Sequence, residues 1–433
     1  MLVGTRPTNE NLKVAVAVMI GALGSWYDFV AYGTASALVF PEVFFPEVPP
    51  ALGSVIAFST FAVGYVFRPL GGIVIGHFGD RVGRKVVLVA AMLAMGLATT
   101  IIGLLPGYAT LGVWAPILLI SLRAVQGIAL GGELGGAILM AVEHAPAHRR
   151  GLFSSFAQLG STAGLVLANL VFLGANVSMS AADFQTFGWR IPFLASAILV
   201  VVGLYMRLRV GESPIFIAAQ RQGRRNSIPI VTVFAKGWSA VIRIVLANLF
   251  PGSIGFVTIV FMLSYGTQTL HLSKATMLSF IVFANICEIP TSLCAGMLSD
   301  RFGRKQIILS ATAVGIVMGA IFFPLVNTGI PLVVCLCILI VRVAIATMFG
   351  VTGAWMAELF DTDFRYTGVS VSAGIAVLIG SQTPAIASLL VVASDGETIW
   401  LSVYLCAASG IAFLAVLTMP ETRHVELTQP ILK

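Results

Sequence analysis

Apolar stretches long enough to cross a lipid bilayer recur along the whole of this chain. Twelve of them follow one another, separated by short breaks that are polar or rich in glycine and proline. A hydrocarbon core requires about 20 apolar residues per helical crossing, and in lipid a helix satisfies its own backbone polar groups, whereas an open strand does not. Since 58% of the residues are hydrophobic and only 10% are charged, the sequence predicts an all-α integral membrane protein.

The twelve predicted transmembrane helices form two groups of six. They span residues 14–38, 52–76, 86–105, 115–141, 152–175, 189–206, 241–266, 276–298, 306–326, 331–357, 367–392 and 399–419. The longest polar interval, 207–240, predicts a cytoplasmic central loop between an N-terminal bundle (1–206) and a C-terminal bundle with a short cytoplasmic tail (241–433). The first stretch is too long for a signal peptide and lacks a small-residue cleavage pattern, so we expect it to be retained.

Basic residues predict the orientation of the helices. Lys and Arg are retained on the cytoplasmic side of a membrane. With the N-terminus inside, most of the 25 Lys and Arg residues fall in inside segments, and Lys274 is the only one in an outer loop. We therefore expect a bacterial inner-membrane protein with both termini in the cytoplasm. Topology then explains the net charge of +7 without a nucleic-acid partner.

The two groups of helices carry the same landmarks in the same order. GHFGDRVGRK at 76–85 returns as GMLSDRFGRK at 296–305, an offset of 220. A glutamate followed seven residues later by an arginine occurs at Glu143 and Arg150 and again at Glu358 and Arg365. Parallel repeats are typical of secondary transporters with a substrate site near the membrane midplane. The sequence thus predicts two pseudo-symmetric six-helix bundles.

Several motifs resemble those of one transporter family. They are SWYDFVAYG at 25–33, FRPLGGIVIGHFGDRVGRK at 67–85, LRAVQGIALGGELGGA at 122–137, VEHAPAHRRG at 142–151, GWRIPF at 188–193 and ELFDTDFRYTG at 358–368. The repeated G-x-x-x-D-R-x-G-R-K loops look like a signature of the major facilitator superfamily. The whole set resembles the metabolite:proton symporter family, which includes carriers of shikimate, α-ketoglutarate, citrate and proline or betaine. The resemblance covers nearly the whole chain and implies the major facilitator fold.

Charged residues in the repeated loops are the predicted gating elements. Gly79 and Gly83 allow a tight turn between antiparallel helices, and the resemblance implies that Asp80 and Asp300 join cytoplasmic charge networks that stabilise the outward-open state. The two Glu–Arg pairs are either solvated helix ends or a second part of the same cytoplasmic gate. In the second case each pair could bridge to the neighbouring Asp–Arg loop, which would give one network in each half. The predicted gating set is Asp80, Arg81, Gly83, Arg84, Glu143, Arg150, Asp300, Arg301, Arg304, Glu358 and Arg365.

Charges well inside predicted helices are costly and normally face a cavity or a partner. They are Asp28, Arg68, Arg123, Glu133, Glu288 and Arg342. Because 288 less 220 is 68, Arg68 and Glu288 hold equivalent positions with opposite sign. Arg123 and Arg342 correspond with an offset of 219. The excess of arginine favours an anionic substrate, since guanidinium binds carboxylate through two parallel hydrogen bonds.

These residues divide into two predicted roles. The substrate-binding set is Tyr32, Arg68, Arg123, Gln126 and Arg342, and the proton-coupling set is Asp28, Glu133 and Glu288. Carboxylates suit coupling because they alternate between ionised and protonated forms as their surroundings change. A static ion pair between helices is the alternative for each charge. Ser25 stands where family members usually carry an acidic residue, and Leu134 where they often have Trp, so coupling rests on these three carboxylates or is absent.

The predicted function is proton-coupled uptake of a small organic acid by alternating access. The expected partners are the substrate, the proton and the lipid bilayer, and we expect a monomer without cofactor, metal or catalytic residues. The alternatives are symport of a zwitterionic osmolyte such as proline or betaine, and uniport without proton coupling. A membrane enzyme is disfavoured because the histidines are scattered and the five cysteines lie in apolar stretches without metal spacing. The sequence has no phosphate-cradling loop, which excludes an ATP-driven pump.

Overall fold

The long helices of the protein agree with the predicted apolar stretches one for one. A computed structural model describes residues 9–48, 50–208, 229–425 and 427. The first six long helices are α1 (Asn9–Leu38), α2 (Pro50–Val82), α3 (Arg84–Leu104), α4 (Trp114–Glu143), α5 (Arg150–Ser178) and α6 (Arg190–Leu208). Much of the predicted central loop, at 209–228, lies outside the described residues.

The second group of long helices is less regular than the first. It contains α7 (Trp238–Ala247, Leu249–Phe256, the π-helical Val257–Phe261 and Met262–Gln268), α8 (Lys274–Phe302), α9 (Arg304–Val326), α10 (Pro331–Ala357), α11 (Arg365–Gly380 and Thr383–Ala393) and α12 (Ile399–Leu417). Shorter helices cover Phe40–Phe44, Tyr108–Leu111, Ala147–Arg149, Ala181–Asp183, Phe184–Gly188, Pro229–Thr232 and Val233–Gly237. Ten helical segments of the described chain are long and apolar enough to cross a membrane. The all-α membrane fold predicted from the sequence is confirmed.

The chain forms two compact units. Unit 1 combines the residues up to His144 with Phe156–Thr232 and Thr362–Gly374. Unit 2 combines Ala145–Ser155, Val233–Asp361 and the residues from Ile375 onward. Each unit therefore contains most of one sequence half and a short segment of the other.

Both units use the same helix pairs. The most extensive contacts in unit 1 join α2 to α4 and α3 to α6, and those in unit 2 join α8 to α10 and α9 to α12. Glycine allows the α2–α4 approach, because a Cβ added to Gly131 would lie 2.1 Å from the Arg68 carbonyl oxygen. At the equivalent position of α10, a Cβ on Gly350 would lie 2.2 Å from the Ser292 carbonyl oxygen.

The predicted tight turns are present at Gly83 and at Gly303, but Gly79 lies inside α2, where the absence of a side chain makes room for the Tyr366 ring. Gly83, between α2 and α3, has φ +120°, and Gly303, between α8 and α9, has φ +105°. Residues that have a side chain rarely adopt such positive φ values, whereas glycine does so without a steric penalty. The glycine in each G-R-K sequence is therefore required by the backbone of the turn.

Candidate functional site

Two buried arginines in unit 1 share one aromatic ring. The guanidinium carbon of Arg68 lies 5.7 Å from the centre of the Phe29 ring, and that of Arg123 lies 4.4 Å from the same centre. Arg68 is 3% exposed and Arg123 is fully buried. The Arg68 Nη1 group makes no hydrogen bond to any residue that the structure describes. Two cations at this depth provide donors for an anion.

Aromatic and polar side chains fix the position of Arg123. Its guanidinium lies 4.2 Å from the Tyr32 ring centre, and its Nη1 donates to Gln126 Oε1 over 3.1 Å. Gln126 in turn donates to Thr99 Oγ1 over 2.8 Å. A Cβ on Gly64 would lie 2.7 Å from Arg123 Nε, so the glycine makes room for the guanidinium. The predicted residues Tyr32, Arg123 and Gln126 thus lie together.

Aromatic residues near Arg68 extend this site. The guanidinium lies 5.7 Å from the Trp26 ring centre and 6.0 Å from that of Tyr65. The sequence does not single out Phe29 and Tyr65 as site residues. Their helical spacing from the predicted site residues Tyr32 and Arg68 could have identified them. Tyr65 precedes Arg68 by three residues, and Phe29 precedes Tyr32 by three, so each pair shares a helix face.

The two predicted coupling carboxylates of unit 1 are close to each other. Asp28 and Glu133 are buried and lie within electrostatic range of each other. Asp28 also lies beside Thr99 and Ser196, and its Oδ1 atom makes no hydrogen bond within the described part of the chain. The Ser25 hydroxyl donates to Glu133 Oε2. Ser25, where the family usually has an acidic residue, is therefore a partner of the Glu133 carboxylate.

The third predicted carboxylate, Glu288, forms an ion pair in unit 2. The Nε and Nη2 atoms of Arg342 both donate to Glu288 Oε1, and both side chains are buried. Buried charges are stable when they are paired in this way. The structure thus joins one predicted substrate residue with one predicted coupling residue.

A first charge cluster, formed by Asp80, Glu143 and Arg365, lies at one end of unit 1. Asp80 accepts hydrogen bonds from the backbone N–H groups of Tyr366 and Thr367 at 3.1 and 2.9 Å. These N–H groups belong to the first turn of α11. The first N–H groups of a helix have no acceptor within the helix itself. The Arg365 Nη1 group donates to Glu143 Oε1 over 3.3 Å. The carboxylate of Asp80 therefore caps a helix and compensates its dipole.

A second charge cluster, formed by Asp300, Arg304, Glu358 and Arg150, repeats this arrangement in unit 2. Asp300 accepts from the backbone N–H groups of Gly151 and Leu152, in the first turn of α5, at 2.9 and 3.0 Å. Arg304 is bidentate to Glu358, with distances of 3.3 and 3.2 Å, and donates to Asp300 over 2.6 Å. Arg150 Nη1 lies 4.0 Å from Glu358 Oε1.

The structure corrects the expectation of one network for each sequence half. Glu143 is bonded to Arg365, and Glu358 lies beside Arg150, so each glutamate has an arginine from the other half. Periodicity and repeats identify helix ends, but they do not determine which ends meet.

The remaining gating residues differ in their contacts. Arg81 lies in the last turn of α2. The guanidinium carbon of Arg301 lies 5.4 Å from the Phe302 ring centre. The side chain of Arg84 lies outside the described residues. Two contacts that the sequence did not suggest join Lys85 Nζ to the Leu208 carbonyl and Lys305 Nζ to the Leu417 carbonyl, at 2.9 and 2.8 Å.

Each half of the chain matches a family of transporters. Residues 13–227 match the family described as sugar (and other) transporter, and residues 249–431 match the Major Facilitator Superfamily. The solved structure of the proton:xylose symporter XylE, bound to 6-bromo-6-deoxy-D-glucose, has a TM-score of 0.78 at 18% identity. The match covers 96% of this chain and 97% of that chain, and it supports the fold.

Curated relatives match the chain along nearly its whole length. The inner membrane metabolite transport protein YhjE of Escherichia coli K12 is 39% identical over 427 residues, which cover 97% of each protein. The shikimate transporter of that strain is 37% identical over 98% of this chain and 99% of its own. A proline/betaine transporter of the same strain is 31% identical over 95% of this chain and 84% of its own. The chain therefore belongs to the major facilitator superfamily and is a multi-pass membrane transporter of metabolites.

Proposed function

We propose that this transporter carries a small organic acid into the cell together with protons. Uptake proceeds by alternating access across the bacterial inner membrane, with both termini in the cytoplasm, and the monomer is the functional unit. The observation that carries the proposal is the pair of buried guanidinium groups, Arg68 and Arg123, at 5.7 and 4.4 Å from the centre of the Phe29 ring. A carboxylate that bound both groups would receive several charge-assisted hydrogen bonds.

The same rings argue against a zwitterionic osmolyte. A quaternary ammonium group binds over aromatic faces by cation–π attraction, and one relative is named a proline/betaine transporter. In this chain the faces of Trp26, Phe29 and Tyr65 already lie near the Arg68 guanidinium. A second cation at these rings would be repelled, whereas a carboxylate would be attracted.

Carboxylates supply the proposed proton coupling. Asp28 and Glu133 lie on the two helices, α1 and α4, that also bear Tyr32 and Arg123. A carboxyl group can alternate between its ionised and its protonated form as its surroundings change during the transport cycle, which is what coupling to protons requires. In unit 2, protonation of Glu288 would release Arg342 from its ion pair and make its guanidinium available to the substrate.

The two charge clusters are proposed as the cytoplasmic gate. Each combines residues from both sequence halves with the capped first turn of a helix, α11 for Asp80 and α5 for Asp300. Such contacts are individually worth about 0.5–2 kcal/mol. This energy is small enough for a gate that opens in each transport cycle.

Uptake into proteoliposomes tests the proposal. The purified protein is reconstituted and supplied with radiolabelled shikimate, citrate, α-ketoglutarate, proline or betaine. Each is tested with and without an inwardly directed proton gradient, in which the outside is more acidic. We expect at least one acid to accumulate, and only with the gradient. If only proline or betaine accumulated, the substrate class would be a zwitterionic osmolyte and not an organic acid. Acid transport at the same rate with and without the gradient would indicate uniport.

A further inference from the structure

The hydroxyl of Ser25 faces two oxygen atoms but has only one hydrogen to donate. One is Glu133 Oε2, and the other is the carbonyl oxygen of Gly21 one turn earlier in α1, at 3.3 Å. A serine hydroxyl can donate one hydrogen bond and accept others. The Ser25 hydroxyl can therefore bond to both groups at once only if it donates to the Gly21 carbonyl and accepts a hydrogen bond from a protonated Glu133 carboxyl group.

We propose that Ser25 is a positioning residue that keeps the Glu133 side chain hydrogen-bonded in both its ionised and its protonated form. When Glu133 is ionised, Ser25 donates to Oε2. When Glu133 takes up a proton from water, the new O–H bond donates to Ser25 Oγ, and the hydroxyl hydrogen turns toward the Gly21 carbonyl. No proton passes through Ser25, because its O–H bond only changes direction.

The surroundings of Ser25 permit this rotation. A small cavity of about 10 Å³ is bordered by Gly21, Ser25, Asp28 and Ser196, so the hydroxyl has free space on one side. Ser25 and Glu133 are 3% and 1% exposed, which keeps solvent from replacing their contact. An ionised carboxylate without a donor at such a site would be destabilised.

Several charged groups lie on the helices that pack against Glu133. Asp28, on α1, lies within electrostatic range of Glu133. Arg68 lies on α2, with its carbonyl oxygen against Gly131 of α4. Lys13 is near the start of α1, Asp80 and Arg81 near the end of α2, and Arg84 and Lys85 at the start of α3; Arg123 and Glu143 lie on α4 itself. Ser25 differs from all of these because it is uncharged and bonds to the carboxyl in either state.

Infrared spectroscopy of the full-length protein in lipid tests the assignment without any substrate. The C=O absorption of protonated carboxyl groups is recorded through a pH titration, and Glu133→Gln identifies the Glu133 band. We expect Ser25→Ala to change the frequency of this band and to raise its titration midpoint by about one pH unit, because the ionised form loses a charge-assisted hydrogen bond and the protonated form loses only a weaker, neutral one. Ser25→Thr, which retains the hydroxyl, should keep the original band.

Ser36→Ala is the matched control, because the Ser36 hydroxyl also lies buried on α1 but donates to the Tyr32 carbonyl, at 2.9 Å. It should leave the Glu133 band unchanged. If Ser25→Ala folds poorly, Ser25→Cys provides a weaker donor of similar size and should give a smaller shift. A Glu133 band that is identical in wild type and in the Ala or Cys variant would overturn the proposal, as would a Glu133 that never protonates.

The inference rests on the proposed proton coupling, but the two can fail separately. Uptake of radiolabelled shikimate is measured with a pH gradient, and exchange of internal for external shikimate is measured without one. Glu133→Gln should reduce the rate of gradient-driven uptake at least tenfold and should retain the exchange of internal for external shikimate. If the wild type shows no gradient dependence while the infrared band still responds to Ser25→Ala, the proposed coupling is wrong and the positioning role of Ser25 stands.

Discussion

Equivalent positions of the two units hold charges of different sign, and this changes what the arginine of each unit contacts. In unit 2, Arg342 is paired with Glu288 on the neighbouring helix. In unit 1, the position equivalent to Glu288 holds Arg68, and Arg123 lies over aromatic rings and against Gln126. Helix packing is repeated between the units, whereas the use of the buried charge is not.

This difference predicts which property of the protein a substitution changes first. A buried ion pair neutralises itself, and removing one partner leaves an uncompensated charge. Two neighbouring arginines attract an anion, and the rings of Phe29 and Tyr32 reduce the energetic cost of burying them before it binds. We therefore expect substitutions in unit 2 to reduce stability first and those in unit 1 to reduce binding first.

The largest effect is expected for Glu288→Gln, which leaves the Arg342 guanidinium buried without its carboxylate. Loss of one partner of a buried pair costs about 3–5 kcal/mol, and thermal unfolding of the purified protein in detergent should show it. The double variant Glu288→Leu, Arg342→Met should recover much of this loss, because it removes both charges. A double variant as unstable as the sum of the two single variants would contradict the ion-pair interpretation.

A large effect on affinity, rather than on stability, is expected for Arg123→Gln. Loss of a charge-assisted pair of hydrogen bonds to a carboxylate costs about 1.5–3 kcal/mol, or roughly 10- to 150-fold in the KM for uptake. Arg123→Lys should be almost as damaging, since a lysine cannot bind in a bidentate manner. The melting temperature should fall less than in Glu288→Gln.

Arg190→Lys is the matched control for Arg123, because Arg190 is an arginine of unit 1 with a structural contact. It lies over Trp189 and donates to the backbone carbonyls of Gly103 and Leu105. Its substitution should lower stability with little change in KM. If Arg123→Gln changed stability and left KM unaltered, the two units would use their buried charges in the same way.

The helices and the repeat could be predicted from the sequence because both leave a direct pattern in it. Apolar length fixes where a helix can cross a bilayer, and the offset between the repeated loops assigns Arg68 and Glu288 to equivalent positions of the two halves. The ion pair of Glu288 with Arg342 follows from no such pattern, since it depends on which faces of α8 and α10 meet. The same holds for Ser25, whose contact with Glu133 joins residues 108 positions apart.

The charge clusters allow a comparison in which the two units should agree. Asp80→Asn and Asp300→Asn each replace one carboxylate oxygen with an NH₂ group that faces a backbone N–H donor. We expect hydrogen–deuterium exchange to accelerate about tenfold, the equivalent of one lost helix cap. The affected amides are Tyr366 and Thr367 for Asp80, and Gly151 and Leu152 for Asp300.

The Asp80 variant also tests the proposed gate. Substrate affinity should remain within a few-fold of wild type, because the contacts of Asp80 cap the first turn of α11. Equal losses of binding and of transport would indicate a general structural defect. Acceleration in one unit only would show that the repeated loops have diverged in role, as the buried charges have.

The smallest effects are expected for the two lysines that contact helix carbonyls. Lys85 Nζ donates to the Leu208 carbonyl near the end of α6, and Lys305 Nζ donates to the Leu417 carbonyl at the end of α12. A cation at a helix C-terminus stabilises by about 0.3–1 kcal/mol, so Lys85→Met and Lys305→Met should each lower the melting temperature slightly and equally. Lys236→Met is the control, because Lys236 is an exposed lysine of the π-helical Val233–Gly237. Unequal effects of the two substitutions would mean that the units differ in their helix ends as well as in their buried charges.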